Sequence, residues 1–191
     1  DELIDVTISE GIKIIEPAAF AYCKKLENIK LPKSLEEVYQ GAFSGTGYYN
    51  NMYNWENGGL YLDHVLLTVD PECSGEFTVR EGTTLLANGA FVDCQITRVN
   101  LPHGLKKLSD CSFNCCRRLK EIRFNDDIEE LGCVWTSDSD YMTTFEIPAS
   151  VKKLDTRSLG FSKFSEIKLN ENLKEIGKEA FVRCYNLKEI T

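Results

Sequence analysis

Residues 99–121, VNLPHGLKKLSDCSFNCCRRLKE, decide the fold of this chain. The apolar residues of the stretch are Val99, Leu101, Leu105, Leu108, Phe113 and Leu119, with Cys116 between the last two. This spacing fits neither a long amphipathic helix nor a plain alternating strand. The next apolar residues, Ile122, Phe124, Ile128 and Leu131, restart the same order. The stretch is therefore one unit of an internal repeat.

The same unit recurs along most of the chain. Its first apolar position is occupied by Val6, Ile29, Phe77, Val99, Ile122, Phe145, Ile167 and Ile190. These positions are 22 or 23 residues apart, except for one step of 48 residues between Ile29 and Phe77. Self-similarity with a period of roughly 20 to 50 residues is typical of a solenoid, in which each unit buries its apolar side against its neighbours. We therefore predict one solenoid domain of seven units over residues 1–191.

Each unit begins with a short strand pattern. Residues 29–31 and 145–147 alternate apolar and polar side chains, as half-buried strands do. Proline follows three of these strands directly, at Pro32, Pro102 and Pro148. Because proline cannot donate to a ladder, it ends the strand. One strand per unit predicts a parallel sheet along one side of the solenoid, and the rest of each unit crosses the opposite side by an irregular or short helical path.

The step of 48 residues contains an insertion, which we place at residues 52–76. Residues 60–62 and 65–69 predict a β-hairpin that turns at Asp63-His64. Four aromatic residues precede it among asparagines: Tyr48, Tyr49, Tyr53 and Trp55. Exposed rings beside amides suit contact with carbohydrate or protein, because rigid rings bury area at little entropic cost. The alternative is that these rings cover the hairpin and the coil beneath it.

Polar residues occupy the strand positions that we expect to face solvent. The candidate binding residues among them are Lys30, Arg98, Asn100, Arg123, Glu146 and Lys168. Equivalent residues of stacked strands lie about 4.8 Å apart, so the alternating charges of Arg123, Glu146 and Lys168 attract one another. One interpretation is that these charges support the strand register on a solvated face. The other is that they form a polar binding surface on the concave sheet.

Three units share the motif Ala-Phe-x-x-Cys. It stands as Ala19-Phe20 with Cys23, Ala90-Phe91 with Cys94, and Ala180-Phe181 with Cys184. With this motif and its strand pattern the chain resembles the leucine-rich repeats of the BspA-like type, first described in Treponema surface proteins. The resemblance implies a right-handed leucine-rich-repeat solenoid with a parallel β-sheet on its concave side. It also implies a cell-surface or secreted protein, since several relatives adhere to host matrix proteins or to other cells.

The eight cysteines divide into one repeated column and four others. Cys23, Cys94, Cys116 and Cys184 share the column, which places them in the repeat core as small apolar side chains. Cys94 and Cys116 lie in adjacent units and could also approach closely enough to form a disulfide. The sequence contains no CxxC pair, which makes a four-cysteine zinc site improbable.

Composition excludes several classes of partner. The chain has 191 residues, of which 42% are hydrophobic and 27% charged, and its net charge is −8. Nucleic acids and anionic membrane surfaces both require clustered Lys and Arg, which this acidic balance does not favour. No apolar run approaches the ~20 residues needed to span a bilayer, and no basic-then-apolar N-terminus marks a signal peptide. We therefore predict no nucleic-acid partner and no direct membrane insertion.

Motifs for catalysis or metal binding are absent from the sequence. His64 and His103, the two histidines, fall in predicted turns, and there is no phosphate loop, HExxH or GxSxG. Asp138 and Asp140 lack the glycine and the final glutamate of a calcium loop. We therefore predict that the chain is not an enzyme and uses no cofactor or metal.

The repeat pattern already begins before Val6, at Leu3, and a further strand opens at Ile190. We expect a segment of a longer array, or a partner subunit that covers an end, which would permit end-to-end self-association. The leading function is a non-catalytic binding module that adheres to a host protein or glycan through the concave face and the insertion. The contrasting hypothesis is an architectural spacer that presents other domains.

Overall fold

A computed structural model describes residues 2–133, 139 and 141–191 of the chain. Asp138 and Asp140, considered above as calcium ligands, lie outside these residues. The described part is a solenoid of stacked parallel strands with almost no helix. Its helical elements are α1 (Gly47–Asn50) and one 3-10 segment (Met52–Asn54).

The strands are short and follow one another at repeat spacing. The first nine are β1 (Asp5–Thr7), β2 (Ile14–Ile15), β3 (Asn28–Lys30), β4 (Glu37–Val38), β5 (Trp55–Glu56), β6 (Gly59–Leu62), β7 (Val65–Val69), β8 (Ser74–Thr78) and β9 (Leu85–Leu86). The others are β10 (Gln95–Asn100), β11 (Lys107–Leu108), β12 (Glu121–Arg123), β13 (Glu130–Leu131), β14 (Thr144–Glu146), β15 (Lys153–Leu154), β16 (Glu166–Lys168), β17 (Glu175–Ile176) and β18 (Glu189–Ile190).

A first strand row contains the first apolar position of every unit. It consists of three parallel sheets, β1–β3, β8–β10–β12 and β14–β16–β18. The register places equal repeat positions opposite one another, as in Val6 with Ile29, Val99 with Ile122, and Phe145 with Ile167. In β3, β12 and β16 the central isoleucine is buried between more exposed polar neighbours, so each strand faces the core with one side chain.

A second strand row runs beside the core and was not predicted as strand. Its two-residue strands β11, β13, β15 and β17 form one parallel sheet. Leu108, Leu131, Leu154 and Ile176 are the successive partners in its ladder. A two-residue strand is too short to show alternation in the sequence, which explains why only its apolar column was recognised.

Turns, rather than helices, carry the chain from the second row back to the first. Each described turn segment contains two left-handed residues four positions apart, for example Gly89 (φ 72°) with Asp93 (φ 63°), and Arg157 (φ 58°) with Phe161 (φ 60°). An α-helix requires negative φ at every residue, so such a segment cannot be helical. Of the two predicted alternatives for this side, the structure has the irregular one.

Backbone hydrogen bonds join these turn segments into a ladder, the turn-side ladder. The N–H groups of Gly89, Phe91 and Asp93 donate to the carbonyls of Asp110, Ser112 and Asn114 in the next coil, at 3.0, 3.0 and 3.1 Å. The same three rungs join Arg157, Leu159 and Phe161 to Lys178, Ala180 and Val182. Every second N–H of the turn segment is therefore satisfied by the coil that follows.

Stacked rings and buried thiols fill the core under the turn segments. The ring centroids of Phe91 and Phe113 lie 5.0 Å apart, and those of Phe20 and Phe43 lie 5.3 Å apart. Cys94 is not bonded to Cys116; both side chains are buried as free thiols. The Cys116 thiol donates to the Phe91 carbonyl at 2.9 Å, and burial raises the pKa of Cys94 to about 12. These cysteines thus act as small core side chains.

The long repeat step contains an antiparallel pair in place of a regular coil. β6 and β7 pair with each other and turn at Asp63 and His64, where Asp63 is left-handed (φ 51°). β7 also pairs in parallel with β9, which places Leu66 beside Leu86 in the second row. Among the described strands, β3 and β8 share no ladder, so the first row is interrupted here while the second row receives a substitute strand.

Candidate binding surfaces

Five polar residues of the first row form a compact group, the charged strand cluster: Glu76, Arg98, Asn100, Glu121 and Arg123. Arg98 bonds Glu76 at 2.9 Å and Glu121 at 2.5 Å, on the strands to either side. Arg123 Nε lies 2.8 Å from Glu121, and the Asn100 amide donates to Glu76 at 2.8 Å. The parallel register places Arg98 directly between the two glutamates, so the cluster follows from strand order.

The charges of this cluster compensate one another. Hydrogen bonds from Asn100 and then Arg98 lower the pKa of the Glu76 carboxyl, and bonds from Arg123 and then Arg98 lower the pKa of Glu121. Hydrogen bonds to both glutamates raise the pKa of Arg98 in turn. With two arginines and two glutamates the cluster is a neutral polar face, in which neither guanidinium is an isolated cation.

The other predicted strand residues lie elsewhere in the first row. Lys30 is exposed on β3, and Glu146 and Lys168 are exposed on β14 and β16. These strands belong to the two outer sheets, so the six candidates are divided among three sheets. Lys168 Nζ approaches Glu166 of its own strand, at 3.8 Å. The sequence missed Glu76 as a candidate, although it precedes Phe77 as Arg98 precedes Val99.

Three rings at the start of the insertion form an aromatic support: Tyr48 and Tyr49, which directly precede it, and Trp55 within it. The Tyr48 hydroxyl donates to the Tyr61 carbonyl at 2.5 Å, and burial raises the pKa of this phenol. The Trp55 indole N–H donates to the Tyr49 carbonyl at 2.9 Å, and the two rings meet edge to face with centroids 5.5 Å apart. All three rings are half-buried. Tyr48 packs against the core and bonds the hairpin strand β6, while Tyr49 and Trp55 pack against each other.

The fourth predicted aromatic residue has a different environment. Tyr53 is 90% exposed, and the adjacent Met52 is 75% exposed. The Asn51 side-chain oxygen accepts the Tyr53 N–H at 3.1 Å and fixes the backbone beneath the ring. We call Met52 and Tyr53 the insertion tip. Sequence reasoning did not select Met52; its place between Asn51 and Tyr53 was the available signal.

Neither a metal-binding group nor a membrane-spanning helix is found in the part of the chain that the structure describes. No group of three or more His, Cys, Asp or Glu side chains there could hold a metal ion. His103 Nδ1 lies 3.5 Å from Glu81, and both side chains are largely exposed to solvent. Within the same residues, no helix has the length and hydropathy required to cross a membrane.

Comparison with solved structures identifies proteins of the same fold. A leucine-rich repeat protein of Bacteroides ovatus aligns over 97% of this chain and 54% of its own, with 21% identity and a TM-score of 0.50. A leucine-rich cell surface protein of Faecalibacterium prausnitzii aligns over 99% of this chain and 59% of its own, with 19% identity and a TM-score of 0.55. The pneumococcal vaccine antigen PcpA aligns over 99% of this chain and 56% of its own, with 17% identity and a TM-score of 0.61. The chain thus spans somewhat more than half the length of each protein.

Sequence comparison identifies the family. No curated protein matches the chain significantly. The family model described as the BspA type leucine rich repeat region matches six copies of its repeat, over residues 1–57 and 84–191. The unmatched residues 58–83 contain the antiparallel pair β6–β7 and the strand β8. Because the match covers most of the chain and agrees with the stacked parallel strands, the chain belongs to the BspA-type leucine-rich repeat family.

Proposed function

We propose that this chain is a non-catalytic binding module of a cell-surface or secreted bacterial protein. It adheres to a protein, such as a component of the host extracellular matrix, or to a glycan. The exposure of Met52 and Tyr53 is the observation that carries the proposal. The Tyr53 ring stands on a fixed backbone and has only two side-chain torsions, so it loses little entropy when a ligand covers it, and Met52 adds adaptable apolar surface beside it. The charged strand cluster provides a second, polar contact surface on the first row.

The family and its structural neighbours support this assignment. One neighbour is named as a cell surface protein and another as a vaccine antigen of a bacterium. The apolar positions of the repeat are occupied by the core, which leaves the insertion and the strand face as surfaces able to differ in chemistry between arrays.

Surface plasmon resonance against matrix proteins and glycans tests the proposal. The variant Met52→Ser/Tyr53→Ser removes the insertion tip, and Tyr185→Ser is the matched control, because Tyr185 is 85% exposed on another coil. We expect the tip variant to lose at least about tenfold in affinity, as central contact residues do, and the control to bind normally. Equal binding by both variants would contradict the assignment of the tip. No binding to any protein or glycan of the panel would favour the architectural-spacer hypothesis.

The second candidate function is an architectural spacer. Its support is the regular stacking of the coils, in which six copies of the repeat match the family model. A spacer should bind no protein or glycan of the plasmon resonance panel. A ligand that binds the wild-type chain and is lost by the Met52→Ser/Tyr53→Ser variant would contradict this alternative.

A further inference from the structure

The turn-side ladder is missing where the coil that begins at Ile29 meets the insertion. In the coil that begins at Ile29, the donors equivalent to Gly89, Phe91 and Asp93 are Gly41, Phe43 and Gly45. Within the described part of the chain, the N–H groups of these three residues have no hydrogen-bond partner. The previous coil has two of the three rungs, since the N–H groups of Phe20 and Tyr22 donate to the carbonyls of Ala42 and Ser44 at 2.8 Å. The missing rungs therefore face the insertion.

A groove lies beside two of these donors, Gly41 and Phe43. It has a volume of about 410 Å³, and its lining also includes Tyr49, Leu67 and Thr68. β7 lies along the groove, but its hydrogen bond goes to the coil that begins at Phe77: the Val69 N–H donates to the Ala90 carbonyl at 2.7 Å. The volume lies within the range of roughly 300 to 1,000 Å³ typical of ligand sites.

We propose that this groove binds a peptide segment of a protein partner, whose alternate backbone carbonyls accept the N–H groups of Gly41 and Phe43. The inference rests on the proposed binding function and specifies its ligand as a peptide. A row of donors on every second residue is matched by a row of acceptors with the same spacing, which a peptide backbone supplies. The neighbouring coils show this arrangement, with turn segments as the acceptors.

The same coils indicate which side chains the peptide should carry. The residue that accepts the central rung is small in each described case: Ala42, Ser112 or Ala180. Phe43 is only 3% exposed, so its ring is already covered and offers no aromatic pocket. The groove should therefore recognise a peptide with Ala or Ser at the central acceptor, through its backbone rather than through a large anchor. A glycan presents hydroxyls in varied directions and matches the donor row less well.

Amide hydrogen exchange tests the donor row directly. In the protein without peptide, the amides of Gly41 and Phe43 should exchange faster than those of Gly89 and Phe91. The probe is an acetylated and amidated peptide with the sequence of residues 87–93, ANGAFVD. Its binding should slow exchange at Gly41 and Phe43, and a peptide with Trp in place of Ala90 should bind more weakly. Equal protection of both pairs before the peptide is added would overturn the proposal.

A groove-filling variant tests the location. Thr68→Trp should weaken peptide binding at least about tenfold, as expected for the loss of two backbone hydrogen bonds. Thr144→Trp is the matched control, because Thr144 is exposed on β14, and circular dichroism checks the fold of both. Undiminished binding by Thr68→Trp, or no binding of the peptide at millimolar concentration, overturns the proposal.

The remaining outcomes separate this inference from the proposed function. A matrix protein that binds wild type and Thr68→Trp equally, but not the Met52→Ser/Tyr53→Ser variant, would leave adhesion intact and remove the groove from it. A neutral oligosaccharide that protects the Gly41 and Phe43 amides, where the peptide does not, would assign the groove to glycans and overturn the peptide proposal.

Discussion

The coil that begins at Phe77 and the coil that begins at Ile29 meet the same structural requirements in different ways. The first closes on its successor through three turn-side rungs and a stack of Phe91 on Phe113. The second is followed by the antiparallel pair, in which β7 supplies Leu66 to the second row but no acceptors for the turn segment. The difference shows that the apolar core of this fold can continue from one coil to the next where their turn segments share no backbone hydrogen bonds.

The largest effect is expected from the ring stack of the regular coils. Phe113 is fully buried, and Phe113→Ala should lower the free energy of unfolding by about 3–5 kcal/mol through lost burial and cavity formation. Tyr53→Ala, in the insertion tip, should change it by no more than about 0.5 kcal/mol. Urea unfolding followed by circular dichroism measures both. Similar losses of unfolding free energy for the two variants would show that the Tyr53 ring is not exposed to solvent.

A buried asparagine provides the next comparison. The Asn125 amide donates to the Pro102 carbonyl, and its oxygen accepts the Ile128 N–H at 2.9 Å. Asn125→Ala should cost about 2 kcal/mol, because it leaves buried backbone groups unpaired. Asn54 in the insertion is half-buried and donates once, to Tyr48 at 2.8 Å, so Asn54→Ala should cost about 1 kcal/mol. Denaturant midpoints in reversed order would contradict this ranking.

Within the insertion, the indole hydrogen bond should contribute about 1 kcal/mol. Trp55→Phe keeps a ring against Tyr49 but removes the N–H that donates to the Tyr49 carbonyl. Tyr49→Phe is its control, because this hydroxyl has no hydrogen-bond partner among the described residues. We expect Trp55→Phe to lower thermal stability and Tyr49→Phe to leave it unchanged. A larger effect of Tyr49→Phe would show that the support is organised differently.

The smallest expected effect is the pH dependence of the charged strand cluster. The pKa values of Glu76 and Glu121 are lower in the folded chain than their ordinary value near ~4.3. Their stabilising contribution is therefore complete above that value and is lost as pH falls through the folded pKa values. Carboxyl NMR titration should show the Glu76 pKa rising in Asn100→Ala. An unchanged titration would contradict the role given to that amide.

The contrast with the insertion tip sharpens this prediction. Met52 and Tyr53 carry no carboxylate, so a neutral ligand held by the tip should bind equally well from pH 7 down to pH values below the lowered pKa values of Glu76 and Glu121. A ligand held by the charged strand cluster should bind differently once its glutamates are protonated. A pH series on the plasmon resonance surface therefore distinguishes which of the two surfaces a given ligand uses.

The sequence was most informative where a side chain has the same task in every unit. The apolar columns at Val99 and Leu108 predicted the stacking because burial is required of each coil. The left-handed turn residues left no such trace. They are Ala18, Gly41, Gly89, Cys111, Arg157 and Glu179 at the first of the two positions. In the coils that have turn-side rungs, such as those at Gly89 and Arg157, hydrogen bonds between neighbouring coils hold the turn segment in place, so no single residue type is needed there.

The candidate surfaces were predictable only in part, because they depend on contacts between units. The column containing Arg98 and Glu121 could be read from the repeat, but Glu76 lies beyond the insertion and joins them only after folding. Whether Tyr53 or Trp55 covers the other residues of the insertion is decided by the folded arrangement. Tyrosine and tryptophan are both compatible with covering the insertion and with exposure to a ligand, so the sequence alone did not distinguish them.

The missing rungs at Gly41, Phe43 and Gly45 have a mechanical consequence. Under the proposed function, flow that pulls on the ligand would stretch the array, and a stack of coils resists stretching through the bonds between successive turns. The regular junctions divide that load among more backbone bonds than the interrupted one. The junction beside the hairpin should therefore be the first to open under tension, and a groove occupied by a peptide would reinforce the array at its weakest link.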